Sequence, residues 1–346
     1  TIFVSPVVYC YYLQFNLHPE KISQGIKGVN GVKYILWSHS FDRISGHERF
    51  GAVGKEDHFF FLHTFMWTFA PWCFIALIAL VVRLKKIFSG KPVPRGSGGE
   101  EWLSTGVFVL LAALINFSNF KLPHYLPILA PATALMTAHF FASNWNNDRW
   151  KRVFYIIQIS ASVLLLVAAA IINTWAFPFK NAVVLFGTIL FLAIVFYFLL
   201  TQRLSNIQKS ITVSVSTICL FFYLLNTNFY PQLLTYQAGK TLADITKGIA
   251  DPKNVYFWKN TFSSTYNFYS SSNRQVYDDS IQGKKSWLIY QRSQQQQIDS
   301  AGVVLGRSFS VPDYEITRLK KSFIDPVTRK ETLDTMIMAE VVERKD

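Results

Sequence analysis

The stretch NFSNFKLPHYLPILAP, residues 116–131, decides how this chain is read. It lies where one long apolar run ends and the next begins, and it sets a lysine, a histidine and a tyrosine among prolines. Pro123 and Pro127 suit the start of a helix, where a missing N–H costs nothing. A short polar turn between two long apolar runs is what joins two membrane-spanning helices.

The composition agrees. Hydrophobic residues make up 51% of the 346, charged residues only 16%, and Phe alone contributes 31. That is apolar for a soluble protein of this size and predicts a membrane protein. The net charge of +13 would suggest nucleic acid in a soluble chain. Here the excess is assigned to loops on one side of a membrane, and no nucleic-acid partner is expected. Cys10, Cys73 and Cys219 lie inside apolar runs, without the spacing of a metal site or disulfide framework. The chain opens in an apolar run with no basic start region, so it reads as the C-terminal part of something longer.

Working outward from the opening stretch, seven apolar segments emerge: 1–15, 58–84, 102–117, 125–143, 153–175, 182–200 and 211–229. The first is too short for the ~20 residues a crossing takes and is counted incomplete. The second is interrupted at Pro71-Trp72. The loops at 83–95, 144–152 and 201–210 hold five, three and two Lys/Arg, while the turns at 118–124 and 176–181 hold one each. The positive-inside rule puts the first set in the cytoplasm. Alternation then puts loop 16–57, the turn at Lys121 and everything after residue 229 outside.

Two domains follow: residues 1–230 as a multi-span helical membrane domain, and residues 231–346 as a small extracytoplasmic α/β domain. In the latter, 237–248 has helical spacing and 254–258, 286–290 and 336–342 read as strands. Residues 262–271 read as a helix, 274–277 as a short strand and 294–297 as a polar loop.

Soluble-enzyme motifs are absent: the sequence has no Walker loop, GxGxxG, HExxH or CxxC. The polar residues that stand out are at the outer membrane face. Lys121 there has an ordinary reading, a side chain snorkelling to the interface. It also has a functional one, in which Lys121, His124 and Tyr125 bind an anionic head group, the lysine giving charge and the others hydrogen bonds. In the outer loop, Arg43 and Arg49 suit phosphate. His39, Asp42, His47 and Glu48 are more simply solvated polarity than metal ligands. His63 and His139 lie in apolar segments and are expected to be packed or hydrogen-bonded.

Three motifs together, xxxFDRIxG around Arg43, HxFxWxFAPW at 63–72 and NFSNFKLPHYLPILAPATALM at 116–136, resemble the polyprenyl-phosphate-sugar-dependent glycosyltransferases of the GT-C class. The similarity is greatest to bacterial relatives of protein O-mannosyltransferases and of the lipid A aminoarabinose transferase. The resemblance implies a mostly α, GT-C-type membrane domain and transfer of a sugar from a polyprenyl-phosphate carrier to a lipid, glycan or protein acceptor outside a bacterial inner membrane. It implies that Arg43, Lys121, His124 and Tyr125 hold the lipid phosphate or sugar, with His39 and Arg49 secondary. The family's catalytic carboxylate belongs to a first outer loop that this sequence does not include, so no catalytic residue is named and the piece is expected to be inactive alone. These residues assign no cofactor, and a divalent metal stays open. A non-enzymatic transporter of lipid-linked sugar or lipid is the alternative that the same cationic residues allow.

Overall fold

The structure, a computed structural model, describes residues 4–23, 26–38, 59–89, 99–117, 123–259, 261–272, 275–277, 286–317 and 319–344. It is mostly helical with a small sheet domain. Among the described residues, four helices are long and apolar enough to cross a membrane: His124–Ser143, Asp148–Ala176, Ala182–Leu200 and Asn206–Tyr236. They correspond to the last four segments read from the sequence. The second segment is two helices, Phe60–Thr68 and Cys73–Phe88, parted by a turn. Pro71 in that turn cannot donate to a continuous helix. In the helix Gly99–Phe117 the apolar part, Leu103–Phe117, is shorter than a crossing requires. Ser5–Tyr11 is helical and widens into a π turn at Tyr12–Asn16.

The chain divides into two compact units, Thr1–Leu165 with Tyr197–Ile218, and Leu166–Phe196 with Cys219–Asp346. The first unit is built on two buried clusters. One gathers Phe65, Cys73, Ala76, Phe108, Leu126, Leu129 and Ala132. The other gathers Ile75, Ala79, Met136, Phe140, Phe141, Phe154 and Ile207. The helix Cys73–Phe88 serves both, since pairs three or four apart lie on one face. Several small polar residues between the helices are hydrogen-bonded, while the buried Thr217 hydroxyl has no partner among the described residues. Ser162 and Ser214 meet at 3.2 Å, and Thr133 and Thr137 each donate to the carbonyl four residues back at 2.7 Å. This is the packing small side chains permit where no water competes.

The second unit contains a four-stranded sheet: β1 (Val255–Phe257), β2 (Ser286–Gln291), β3 (Val303–Asp313) and β4 (Asp334–Arg344). Their order is β1-β2-β4-β3, with β1 and β2 parallel and the other pairs antiparallel. Helices Ala238–Ile249 and Ser264–Ser270 cover one face, where Leu242, Ala243 and Tyr266 pack on Trp287, Ile289 and Met338. Ile298 of the helix Gln295–Ser300 packs on the other, against Leu288, Tyr290 and Ala339. Covering both faces is why SWLIY reads as an unbroken apolar run rather than an alternating one.

The strands expected at 254–258, 286–290 and 336–342 lie in β1, β2 and β4. Of the short strand expected at 274–277, residue 274 lies outside the described residues, and 275–277 give one bridge, Val276 to Phe257. Residues 294–297 are not a loop: Gln291 and Gln294 cap each other and a helix begins at Gln295. A glutamine run carries no hydrophobic period, and only Ile298 behind it is buried. The strand β3 was not expected. It is an edge strand interrupted by Gly306, with register shifts between Val304 and Ser308, and it carries Pro312. An edge tolerates a bulge and a proline, which hide it from a pattern search.

Asp313 closes β3 and accepts the Ala238 N–H at 3.0 Å, so it caps the domain's first helix. Burial pushes its carboxyl above the ordinary 3.8. The backbone bond from Ala238 opposes this, Asp334 opposite it in register adds to it, and the Tyr314 backbone opposes it again. The folded state therefore binds this proton more tightly than the unfolded chain. The stability it confers is complete below the unfolded value of about 3.9 and is lost as pH rises through the folded one. Asp313→Asn keeps an acceptor for Ala238 and is expected to flatten that loss. Denaturant titrations from about pH 4 to pH 7 on both proteins would read it, and identical pH slopes would sink the assignment.

Candidate functional site

The turn around His124 is a 3-10 helix, Pro123–Leu129, leading into the α-helix Ala130–Ser143. Pro127 inside it withholds an N–H, which favours a short tight helix over a regular α-turn. With three residues per turn, positions 126 and 129 share a face. Leu126 and Leu129 are both buried in the first cluster. His124 and Pro127 share a second face and are exposed, while Tyr125 is half-buried. The His124 and Tyr125 rings meet at 4.7 Å and 68°. The two buried leucines anchor the turn, and the exposed His124 ring lies edge-on beside the half-buried Tyr125 ring. Both can donate a hydrogen bond to an anion.

Residues 118–122 lie outside the described residues, and Lys121 with them. So do Arg43, His39 and Arg49, together with Asp42, His47 and Glu48. Of the expected ligand-binding residues, the structure brings together His124 and Tyr125. Among the described residues no three His, Cys, Asp or Glu side chains converge as a metal site.

The Pro71-Trp72 break is held from a neighbouring helix. Gln158 is fully buried within Asp148–Ala176. With its amide oriented to satisfy both ends, it donates to the Pro71 carbonyl at 2.8 Å and accepts from Trp72 Nε1 at 2.9 Å. One side chain therefore pairs with a backbone carbonyl and an indole N–H at the interruption. Arg83 was read from sequence as one of several loop cations, yet it is 7% exposed. Its Nη2 donates to His139 Nδ1 at 2.9 Å and its Nη1 to Thr105 at 3.4 Å. His63 bonds the Phe59 carbonyl at 3.1 Å. Both histidines are hydrogen-bonded within the helices, as expected.

In the second unit, two apolar helices widen into π turns, at Ile171–Ala176 and Leu225–Phe229. Asn228 Nδ2 donates to Asn173 Oδ1 at 2.9 Å and to the Phe177 carbonyl at 2.8 Å, and Gln232 reaches the Pro178 carbonyl at 3.0 Å. Arg329 of the C-terminal domain completes this end. Its guanidinium donates to the carbonyls of Ala176 at 2.6 Å, Phe323 at 2.8 Å and Ile324 at 2.9 Å, and lies 4.3 Å from the centre of the Phe177 ring. These residues escaped sequence reading. The available signal was polarity out of place: a glutamine and two asparagines inside apolar segments are costly unless paired.

Comparison with protein families, with characterised proteins and with solved structures finds no match for this chain.

Proposed function

We propose that this chain is part of an integral-membrane glycosyltransferase of the GT-C type, with about seven spans, that moves a sugar from a polyprenyl-phosphate carrier to a lipid, glycan or protein acceptor on the extracytoplasmic side. The observation that carries the reading is the KLPHYLP turn. Leu126 and Leu129 anchor it, His124 stands exposed and Tyr125 half-exposed beside it, and Lys121 lies three residues before His124 in sequence. An exposed imidazole beside a phenol, with a lysine three residues earlier in the sequence, suits a phosphate whose lipid tail lies in the bilayer.

The chemistry asks for two things. An acid or base must activate the acceptor, and positive charge must meet the phosphate as it leaves. Lys121 and Arg43 are assigned the second task, Arg43 with paired donors. His124 and Tyr125 add hydrogen bonds. The activating carboxylate is assigned to sequence upstream of these residues.

Incubating the full-length protein with defined polyprenyl-phosphate sugars and identifying products by mass spectrometry tests the proposal. The expected result is a sugar-bearing acceptor and free polyprenyl phosphate. Saturable binding of the carrier with no product across all sugars would replace transfer with transport.

A further inference from the structure

The C-terminal domain follows the last apolar helix with one residue, Gln237, between them. The last apolar helix, Asn206–Tyr236, has 31 residues. That is about 46 Å of rise, against ~40–45 Å for a bilayer with its headgroup layers. The helix Ala238–Ile249 starts two residues later, so Gly239 and Lys240 follow at nearly the height of the lipid headgroups.

Two contacts bring residues 262–269 to that height. A Cβ placed on Gly239 would collide with Ser263 Oγ and lie 2.7 Å from the Tyr266 amide nitrogen. Only glycine lets these two helix starts pack so closely. Lys240 Nζ lies 5.8 Å from the centre of the Tyr269 ring. The rings beside these contacts face outward: Phe268 is 77% exposed, Phe262 57% and Tyr269 40%. Phe268 and Tyr269 meet edge to face at 5.2 Å.

We propose that Phe262, Phe268 and Tyr269 enter the headgroup layer of the bilayer that the apolar helices cross, with the Lys240 ammonium at the lipid phosphates. Exposed aromatic rings with a lysine match the composition of that layer. A second copy of the chain or another protein is a poorer occupant. A stable protein interface takes about 800 Å² from each partner, and three rings of roughly 150–250 Å² each fall short of it even when wholly covered. Lipid demands no complementary shape.

The test uses the full chain in nanodiscs containing phosphatidylglycerol, with Cys10, Cys73 and Cys219 changed to alanine and a spin label attached at Phe268→Cys. The reference label is at Ser300→Cys, which is exposed and just precedes β3. The strand runs roughly 34 Å away from Asp313, the residue bonded to Ala238. Relaxation by oxygen relative to an aqueous nickel chelate is expected to be several-fold higher at 268 than at 300, and to drop when Lys240→Glu is added. A label at Phe262→Cys should repeat the pattern if the first position disturbs folding. Equal chelate access at 268 and 300 would overturn the proposal. Protection of 268 from both reagents would also overturn it, in favour of a protein partner.

Discussion

Replacing Lys121 with alanine in the full-length protein is expected to slow sugar transfer by about 10²–10³-fold, with the protein still made and inserted. The size follows from what the residue is asked to do. A donor that meets charge developing in the transition state is worth more than one that only binds the ground state, because it is strongest where the barrier lies. The loss should therefore fall on kcat, with KM for the polyprenyl-phosphate sugar changing less. Lys121→Arg keeps the charge but not the compact ammonium, and should recover part of the rate. The measurement is initial rate against carrier concentration. Transfer by Lys121→Ala within twofold of the parent would remove this lysine from the phosphate site.

Arg329→Ala is expected to cost about 3–4 kcal/mol of stability, summing charge-assisted hydrogen bonds and a stacked cation. The guanidinium serves the carbonyls of Ala176, Phe323 and Ile324 at once, and alanine would leave all three without it. It also lies within 5.7 Å of the centres of the Phe177, Phe323 and Tyr236 rings. Arg329→Lys should restore less than half, because an ammonium cannot present the same planar fork. Denaturation of the detergent-solubilised chain, followed by protease sensitivity after Tyr236, would read the effect. Unchanged resistance in Arg329→Ala would show that the turn at Phe177 holds the C-terminal domain by apolar packing alone.

Much of the architecture was legible because it is written in hydrophobic runs. The last four crossings and three of the four strands announce themselves that way. The edge strand Val303–Asp313 did not, since Gly306 and Pro312 break its pattern. The site was legible by type more than by place. Sequence singled out the turn at His124, but nothing in it says that Leu126 and Leu129 would be the buried positions. That depends on the 3-10 period of three, which the prolines impose. Gln158, Asn173, Asn228 and Arg329 were missed for another reason. Each has a partner more than fifty residues away, and spacing along a chain does not report such pairs. Arg83 was misjudged by position alone, a cation at a segment's end that folds inward to His139.

The paired π turns carry a consequence for how this chain can change length. A π turn accommodates one residue beyond what a regular helix would hold. The extra residues at Ile171–Ala176 and Leu225–Phe229 are tied to each other by Asn173 and Asn228. Deleting a residue from the regular part of one helix, ahead of its π turn, would swing everything beyond it by about 100°, parting the asparagines and carrying Phe177 away from Arg329. Ahead of their π turns the two helices therefore share one register, which the asparagine pair fixes.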